Sequence, residues 1–259
     1  MDDSQIHPTA IIDPGAEIGT GCVIGAYCVV GRLVKLGAGC TLHHHVSVTG
    51  PSCIGARNRF HPFACIGQQS QDLKYTEEPT CLEIGDDNVF REFCTVHRGT
   101  APQSCTRIGH GGNFLAYTHI AHDCVIGNHV IFSNNGTVAG HVEVGDFAII
   151  GGLTAIHQFC RIGQHAITGG CSKIVQDVPP FMIADGNPAR VRGVNKVGLE
   201  RHGFDENRLR TLKEAYRILY RSSLNLQEAV EKMSLTLDPS ADLAVLTAFA
   251  TSSARGIIR

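Results

Sequence analysis

An apolar residue recurs at every sixth position through most of the first two thirds of this chain. The series starts at Ile6 and runs through Ile12, Ile18, Ile24, Val30, Leu36, Leu42, Val48, Ile54, Phe60 and Ile66. It resumes at Ile84, Phe90 and Val96, and again from Ile108 to Ile162. All 24 positions are apolar in a chain that is 43% hydrophobic, so the chance of the pattern is roughly 10⁻⁹. A period of six belongs to neither an α-helix nor a single strand, but a short strand plus a turn has it. Three such units close a triangular coil, so residues 18 apart stack and the sixth residue points inward. The expected fold is mainly β: a parallel β-helix over residues 1–186, followed by a small α-helical domain over 187–259.

Details of the repeat sharpen this picture. Gly follows the apolar residue in 12 of the 24 cases, as at Gly19, Gly25, Gly127 and Gly163, which marks tight turns that tolerate positive φ. Two places before the apolar residue stands something small, and six of the eleven cysteines fall there: Cys22, Cys28, Cys40, Cys94, Cys124 and Cys160. Free Cys fills tight inner corners well, so packing is expected and structural disulfides are not. Residues 68–83 and 99–107 break the count and read as loops thrown out of the solenoid, where binding groups tend to sit.

After Ile174 a Pro/Gly-rich exit leads to helical periodicity at 205–221, 226–234 and 241–253, with Asp205 as an N-cap. Residues 187–221 hold nine Lys/Arg against four acids in a chain whose net charge is −2. That asymmetry suggests an acidic partner or a phosphate-bearing ligand at this end. The weak overall charge argues against bulk nucleic-acid binding, and no apolar run nears the ~20 residues of a membrane span. The acidic, polar start carries no secretory pattern, so a cytoplasmic location is expected.

Between 108 and 174 the repeat is uninterrupted, which turns spacing into geometry. His122, Gly140 and Gln158 share one column, flanked by His141 and His157, with His119 nearby and Asp123 placed to orient a neighbouring imidazole. A zinc cluster from His43, His44, His45 and His61 is the weaker alternative, and no metal is expected.

The run from His119 through AHDCVIG, AGHV, AIHQFC and GGCS, with QDLKY before it and GNPARVRGVN and GLERHGF after it, closely resembles the UDP-N-acetylglucosamine acyltransferases that open lipid A biosynthesis. The match covers essentially the whole chain. The resemblance implies a left-handed β-helix, a homotrimer with sites between subunits, and transfer of a (3R)-3-hydroxyacyl group from acyl carrier protein to the sugar 3-hydroxyl. It implies His122 as general base, Asp123 as its orienting partner and the Gly140 N–H as oxyanion donor. Asp72, Lys74, His119, His141, Gln158, Asn195 and Arg201 would hold substrate, and Gly170 would act as the acyl-length ruler, permitting a long chain. No cofactor is implied beyond the phosphopantetheine that carries the donor.

Lys196, Val197 and His202 depart from the family pattern and weaken the carry-over at the uridine diphosphate end. The acidic carrier would dock on the basic stretch, with Arg208 and Arg210 as contacts. Alternatives are transfer to the 3-amino analogue of the sugar, or a non-catalytic scaffold. The later N-acyltransferase of the pathway is not expected, because its extra uridine-binding domain would have no room before Ile6.

Overall fold

The computed structural model describes residues 3–259, so the first two residues of the expected solenoid domain lie outside the described part. Short strands stack into three parallel sheets that wrap one core. Face 1 begins with Gln5–Ile6, face 2 with Ile11–Ile12 and face 3 with Glu17–Ile18. Ile6 pairs with Ile24, Ile12 with Val30 and Ile18 with Leu36, an 18-residue coil. The two loops change the count without disturbing the inward positions. Across the first loop Phe60 pairs with Phe90 and Ile66 with Val96, 30 apart; across the second Phe90 pairs with Phe114 and Val96 with Ile120, 24 apart. The loops observed are 69–80 and 98–104: strands take both ends of the first expected loop and the C-terminal end of the second, which starts one residue earlier than expected.

The core follows from the repeat. Phe60, Phe90 and Phe114 stack with ring centroids 5.1 and 4.7 Å apart, and Phe132 continues the column. Offset aromatic pairs of this kind add about 0.5–1.5 kcal/mol each beyond burial. Among the described residues no coil covers the outer side of the first one, and Ile6 is 46% exposed. The six corner cysteines are buried, and Cys28, Cys94 and Cys124 donate their thiols to carbonyls of the following coil. Burial pushes Cys124 up to about 12 and Cys94 up to about 11, which keeps these thiols protonated and inert.

Two expectations need correction. The glycine after the inward residue is not there for positive φ, with Gly67 as an exception. The left-handed residue comes two positions later, at Tyr27, His45, Phe63, Asp123 and His141 among others. The glycine serves close approach instead: a Cβ on Gly19 would lie 2.6 Å from the Ala38 nitrogen of the next coil. Secondly, Cys81 and Cys105 form a disulfide. The second loop brings them directly opposite each other in paired strands, a register that the six-residue count does not reveal.

Beyond Lys173–Ile174 the chain adds an antiparallel hairpin, Met182–Gly186 and Ala189–Val194, to the end of face 1. Four helices follow: α1 (Lys196–Arg201), α2 (Glu206–Arg221), α3 (Leu226–Thr236) and α4 (Ala241–Thr251). Asp205 caps α2 by accepting the Arg208 N–H, and Asn225 with Glu228 forms a capping box on α3. The helices share a core of Leu199, Leu209, Leu212, Leu219, Met233 and Leu246. The chain then returns to the solenoid, where Ile258 joins the main core. No helix among the described residues is long and apolar enough to cross a membrane.

Candidate active site

His122 and Asp123 occupy the turn between strand His119–Ile120 of face 2 and strand Val125–Ile126 of face 3. Asp123 takes φ +59°, a left-handed conformation that a short polar side chain tolerates. His122 Nδ1 lies 2.8 Å from Asp123 Oδ2. With Nδ1 donating to the carboxylate, the Nε2 lone pair is left free on the outer side. There Asp72 Oδ2 stands 3.9 Å away and His141 packs edge-on, ring centroids 5.2 Å apart.

Asp123 is itself fixed by the second loop and the strand that follows it. Its backbone N–H donates to Thr106 Oγ1 at 2.8 Å, and its Oδ2 accepts the Thr100 N–H at 3.1 Å. The Ser104 hydroxyl lies near the same carboxylate, although neither Ser104 Oγ nor Asp123 Oδ1 has a hydrogen-bond partner among the described residues. Burial disfavours the charged carboxylate. The polar Ser104 hydroxyl close by, hydrogen bonds from His122 and Thr100, and the nearby His141 outweigh that cost and hold Asp123 below its ordinary pKa.

Gly140, one coil above His122, completes the centre. A Cβ there would sit 2.4 Å from His122 Cε1 and 2.5 Å from Nε2, so only glycine lets the imidazole lie over this turn. The Gly140 N–H is outside the strands and donates to no group among the described residues. An unpaired amide beside the free nitrogen of a buried imidazole is a ready oxyanion donor.

The other expected residues are distributed unevenly. His119 Nδ1 is 2.7 Å from Thr95 Oγ1, and burial, followed by the charge of His122, lowers its pKa. His141 stacks on Phe159 with centroids 4.6 Å apart, and Gln158 is exposed on the coil above Gly140. Asp72 holds a turn of the first loop by accepting the Lys74 N–H, and Lys74 points its exposed side chain into solvent. Asn195 is not gathered into this centre within one chain. Its amide group donates to the His165 carbonyl and accepts the Gly198 N–H, capping α1, while Arg201 lies exposed at that helix's end. His202 packs between Phe147 and His165.

The expected docking pair is split. Arg208 makes two hydrogen bonds to the Asp242 carboxylate and lies over the Phe204 ring, so it belongs to the tail's packing. Arg210, with Lys196, Lys213 and Arg217, lines a 390 Å³ groove between α1 and α2 that also holds Glu200, Glu206 and Glu214.

Residue patterns missed His97, Thr100, Ser104 and Thr106. His97 is buried edge-on to His119, and burial, then the charges of His119 and His122, pushes its pKa down to about 4. Only the 24-residue register across the second loop reveals that position. The folded chain therefore keeps His97 neutral where the unfolded chain, titrating near 6.5, takes up a proton. Stability is full above pH 6.5 and falls toward pH 4 by up to about 1.4 kcal/mol per pH unit. His97→Gln should flatten that slope in denaturant titrations run between pH 4 and 7; an unchanged slope refutes the assignment to His97.

The histidines of the alternative zinc reading, His43, His44, His45 and His61, are not among the three-donor groups of the described residues. The His43 and His61 rings lie tilted with centroids 4.7 Å apart, and His61 faces Glu92. Among the described residues, His122, Asp123 and His141 do place three possible ligand atoms within 4.8 Å of one another, but His122 Nδ1 is already bonded to Asp123.

Comparison with known proteins is consistent along the chain. A family model described as bacterial transferase hexapeptide (six repeats) matches residues 1–32, and one described as UDP-N-acetylglucosamine O-acyltransferase, domain 2, matches 177–258. The acyl-[acyl-carrier-protein]–UDP-N-acetylglucosamine O-acyltransferase of Verminephrobacter eiseniae is 51% identical over 82% of this chain and 83% of its own. That of Thiobacillus denitrificans is 50% identical over 78% and 79%. The solved structure of LpxA from Acinetobacter baumannii superposes with a TM-score of 0.95 at 45% identity, covering 98% of this chain and 99% of that one. LpxA from Bacteroides fragilis, a UDP-N-acetylglucosamine acyltransferase, gives 0.96 at 35% identity over 98% and 100%. The solenoid shares with these structures the left-handed β-helix architecture.

Proposed function

This chain belongs to the UDP-N-acetylglucosamine O-acyltransferase family, and from that premise we propose that it transfers a (3R)-3-hydroxyacyl group from acyl carrier protein to the 3-hydroxyl of UDP-N-acetylglucosamine, the first step of lipid A biosynthesis. The observation that carries this reading is the His122–Asp123 hydrogen bond beneath the unpaired Gly140 N–H. Asp123 keeps the imidazole in the tautomer whose Nε2 accepts a proton. His122 takes the proton of the sugar 3-hydroxyl as that oxygen attacks the thioester carbonyl. The carbonyl oxygen gains its negative charge against the Gly140 N–H. Collapse of the tetrahedral centre expels the thiolate, and His122 returns the proton to it.

Asp72, Lys74, His119, His141 and Gln158 are assigned to substrate on the family pattern; Asp72 and His141 flank His122, and Lys74 and Gln158 are exposed and open to a ligand. Arg201 is assigned to the nucleotide end, with Asn195 seating the helix that carries it. The chemistry needs no cofactor beyond the carrier's phosphopantetheine. A cytoplasmic location belongs to the same reading, and the family's homotrimer would complete each site across a subunit boundary. Arg210, Lys213 and Arg217, rather than Arg208, are the basic groups placed to meet an acidic carrier.

Gly170 bears on acyl length. It lies at the corner leading into Lys173–Ile174, three strands along face 2 from His119–Ile120, hence about 14 Å up the axis from His122. A Cβ on Gly170 would meet only the Gly152 carbonyl oxygen at 3.5 Å, so a larger side chain fits the fold. Assays with UDP-N-acetylglucosamine and carrier-bound donors of increasing length test the reading, with the 3-amino sugar and a chelator as parallel arms. Wild type should prefer donors near 14 carbons, and Gly170→Met should shift the preference shorter, losing about 0.8 kcal/mol for each methylene no longer buried. No turnover with any donor and either sugar overturns the function; an unshifted preference overturns the ruler.

A further inference from the structure

The Cys81–Cys105 disulfide stands at a place that matters for the site. Its Cα atoms are 4.5 Å apart in directly paired strands, and each cysteine is the first residue after one of the two loops. The loops are joined to each other: Ser70 Oγ lies 2.6 Å from Thr100 Oγ1, and the Gln103 N–H donates to the Pro79 carbonyl at 2.8 Å. Together they form the wall behind the His122–Asp123 pair. The first loop supplies Asp72 facing His122 Nε2; the second donates the Thr100 N–H to Asp123 and sets the Ser104 hydroxyl near it.

We propose that Cys81 and Cys105 are a redox site, a thiol–disulfide couple whose oxidised form clamps both loops around His122 and Asp123 and whose reduced form releases them. The two sulfurs differ in access. Cys81 is partly exposed and Cys105 is buried, so an entering thiolate attacks Cys81 Sγ. That forms a mixed disulfide and expels Cys105 as a thiolate, which takes a proton. A second thiolate of the reductant then displaces Cys81. Two electrons and two protons pass to the protein, and a dithiol reductant leaves as its own disulfide. A small-molecule disulfide drives the reverse. The corner cysteines do not compete, since all six are buried.

The kinetic part of the test rests on the acyltransferase reading; the structural part does not. The full chain is compared after oxidation with glutathione disulfide and after reduction with dithiothreitol, with thiol state read by alkylation and mass spectrometry. Expected is protection of Cys81 and Cys105 from alkylation in the oxidised protein. Reduction should speed amide exchange in loops 69–80 and 98–104. It should also raise KM for the sugar nucleotide about tenfold with a smaller change in kcat, because misplacing a positioning loop by an ångström is costly. A protein carrying Cys81→Ser with Cys105→Ser should behave as the reduced form in either buffer, and Cys53→Ser should respond as wild type. Alkylation of both cysteines in the oxidised protein, or equal loop exchange in the two states, overturns the proposal. If neither state transfers acyl groups the function has failed, and loop exchange in the unmodified protein still decides the clamp.

Discussion

His122→Ala is expected to lower kcat by about 10²–10⁴-fold while leaving KM for the sugar nucleotide within a few-fold of wild type. The size follows from the role. In the proposed mechanism the imidazole holds the proton at the moment of attack, and its Nε2 faces the cleft without another strong partner. Removing it does not damage the scaffold. The side chain lies on the outer corner of the coil, whereas the core beneath is filled by Ile120, Cys124 and Ile126. Unfolding transitions of the variant should therefore stay close to those of wild type. Steady-state transfer with a long-chain donor is the measurement, and more than a tenth of wild-type kcat in the variant rules out His122 as the base. The same result separates an enzyme from a scaffold, because a scaffold has no use for this nitrogen.

Gly140→Ala is the second large effect, and a single methyl produces it. The added Cβ would fall 2.4, 2.5 and 3.0 Å from Cε1, Nε2 and Nδ1 of His122. The ring has to move, because the other side of the contact is backbone locked into the coil: the His141 N–H donates to the His122 carbonyl, and the Phe159 N–H to that of Gly140. The base is pushed from its place and the free amide is shielded together. Loss of one oxyanion donor alone costs about 10²–10³-fold in kcat. Gly140→Ala should reach at least that, with circular dichroism of the β-helix unchanged. A variant within tenfold of wild type would show that the imidazole has room the structure does not give it, and would remove the amide from the mechanism.

Residues 108–174 show how far a sequence can carry geometry. There the coil length is constant, so His122, Gly140, His141 and Gln158 can be placed on neighbouring coils by counting alone. The count fails at the loops, where the coil grows to 30 and then 24 residues. Asp72, His97, Thr100 and Ser104 all depend on those two registers, and so does the pairing of Cys81 with Cys105. Asn195 shows a second limit: a motif match assigns it a ligand, but its amide is used within the chain to cap α1 and hold the His165 carbonyl. Arg208 shows the same limit for charge, since Asp242, 34 residues on, takes the guanidinium out of any free basic face.

What the sequence by itself determined is the solenoid, the column that carries His122 and Asp123, and the helical tail. These rest on periodicities, and a periodic pattern of burial has few ways to close on itself. What only the tertiary structure decided is the wall behind the column: which loop residue faces which imidazole, which amide is left unpaired, and which cysteines meet. Those contacts join segments through insertions of irregular length, where hydrogen bonds and close approach, rather than any repeating pattern, select one register among several.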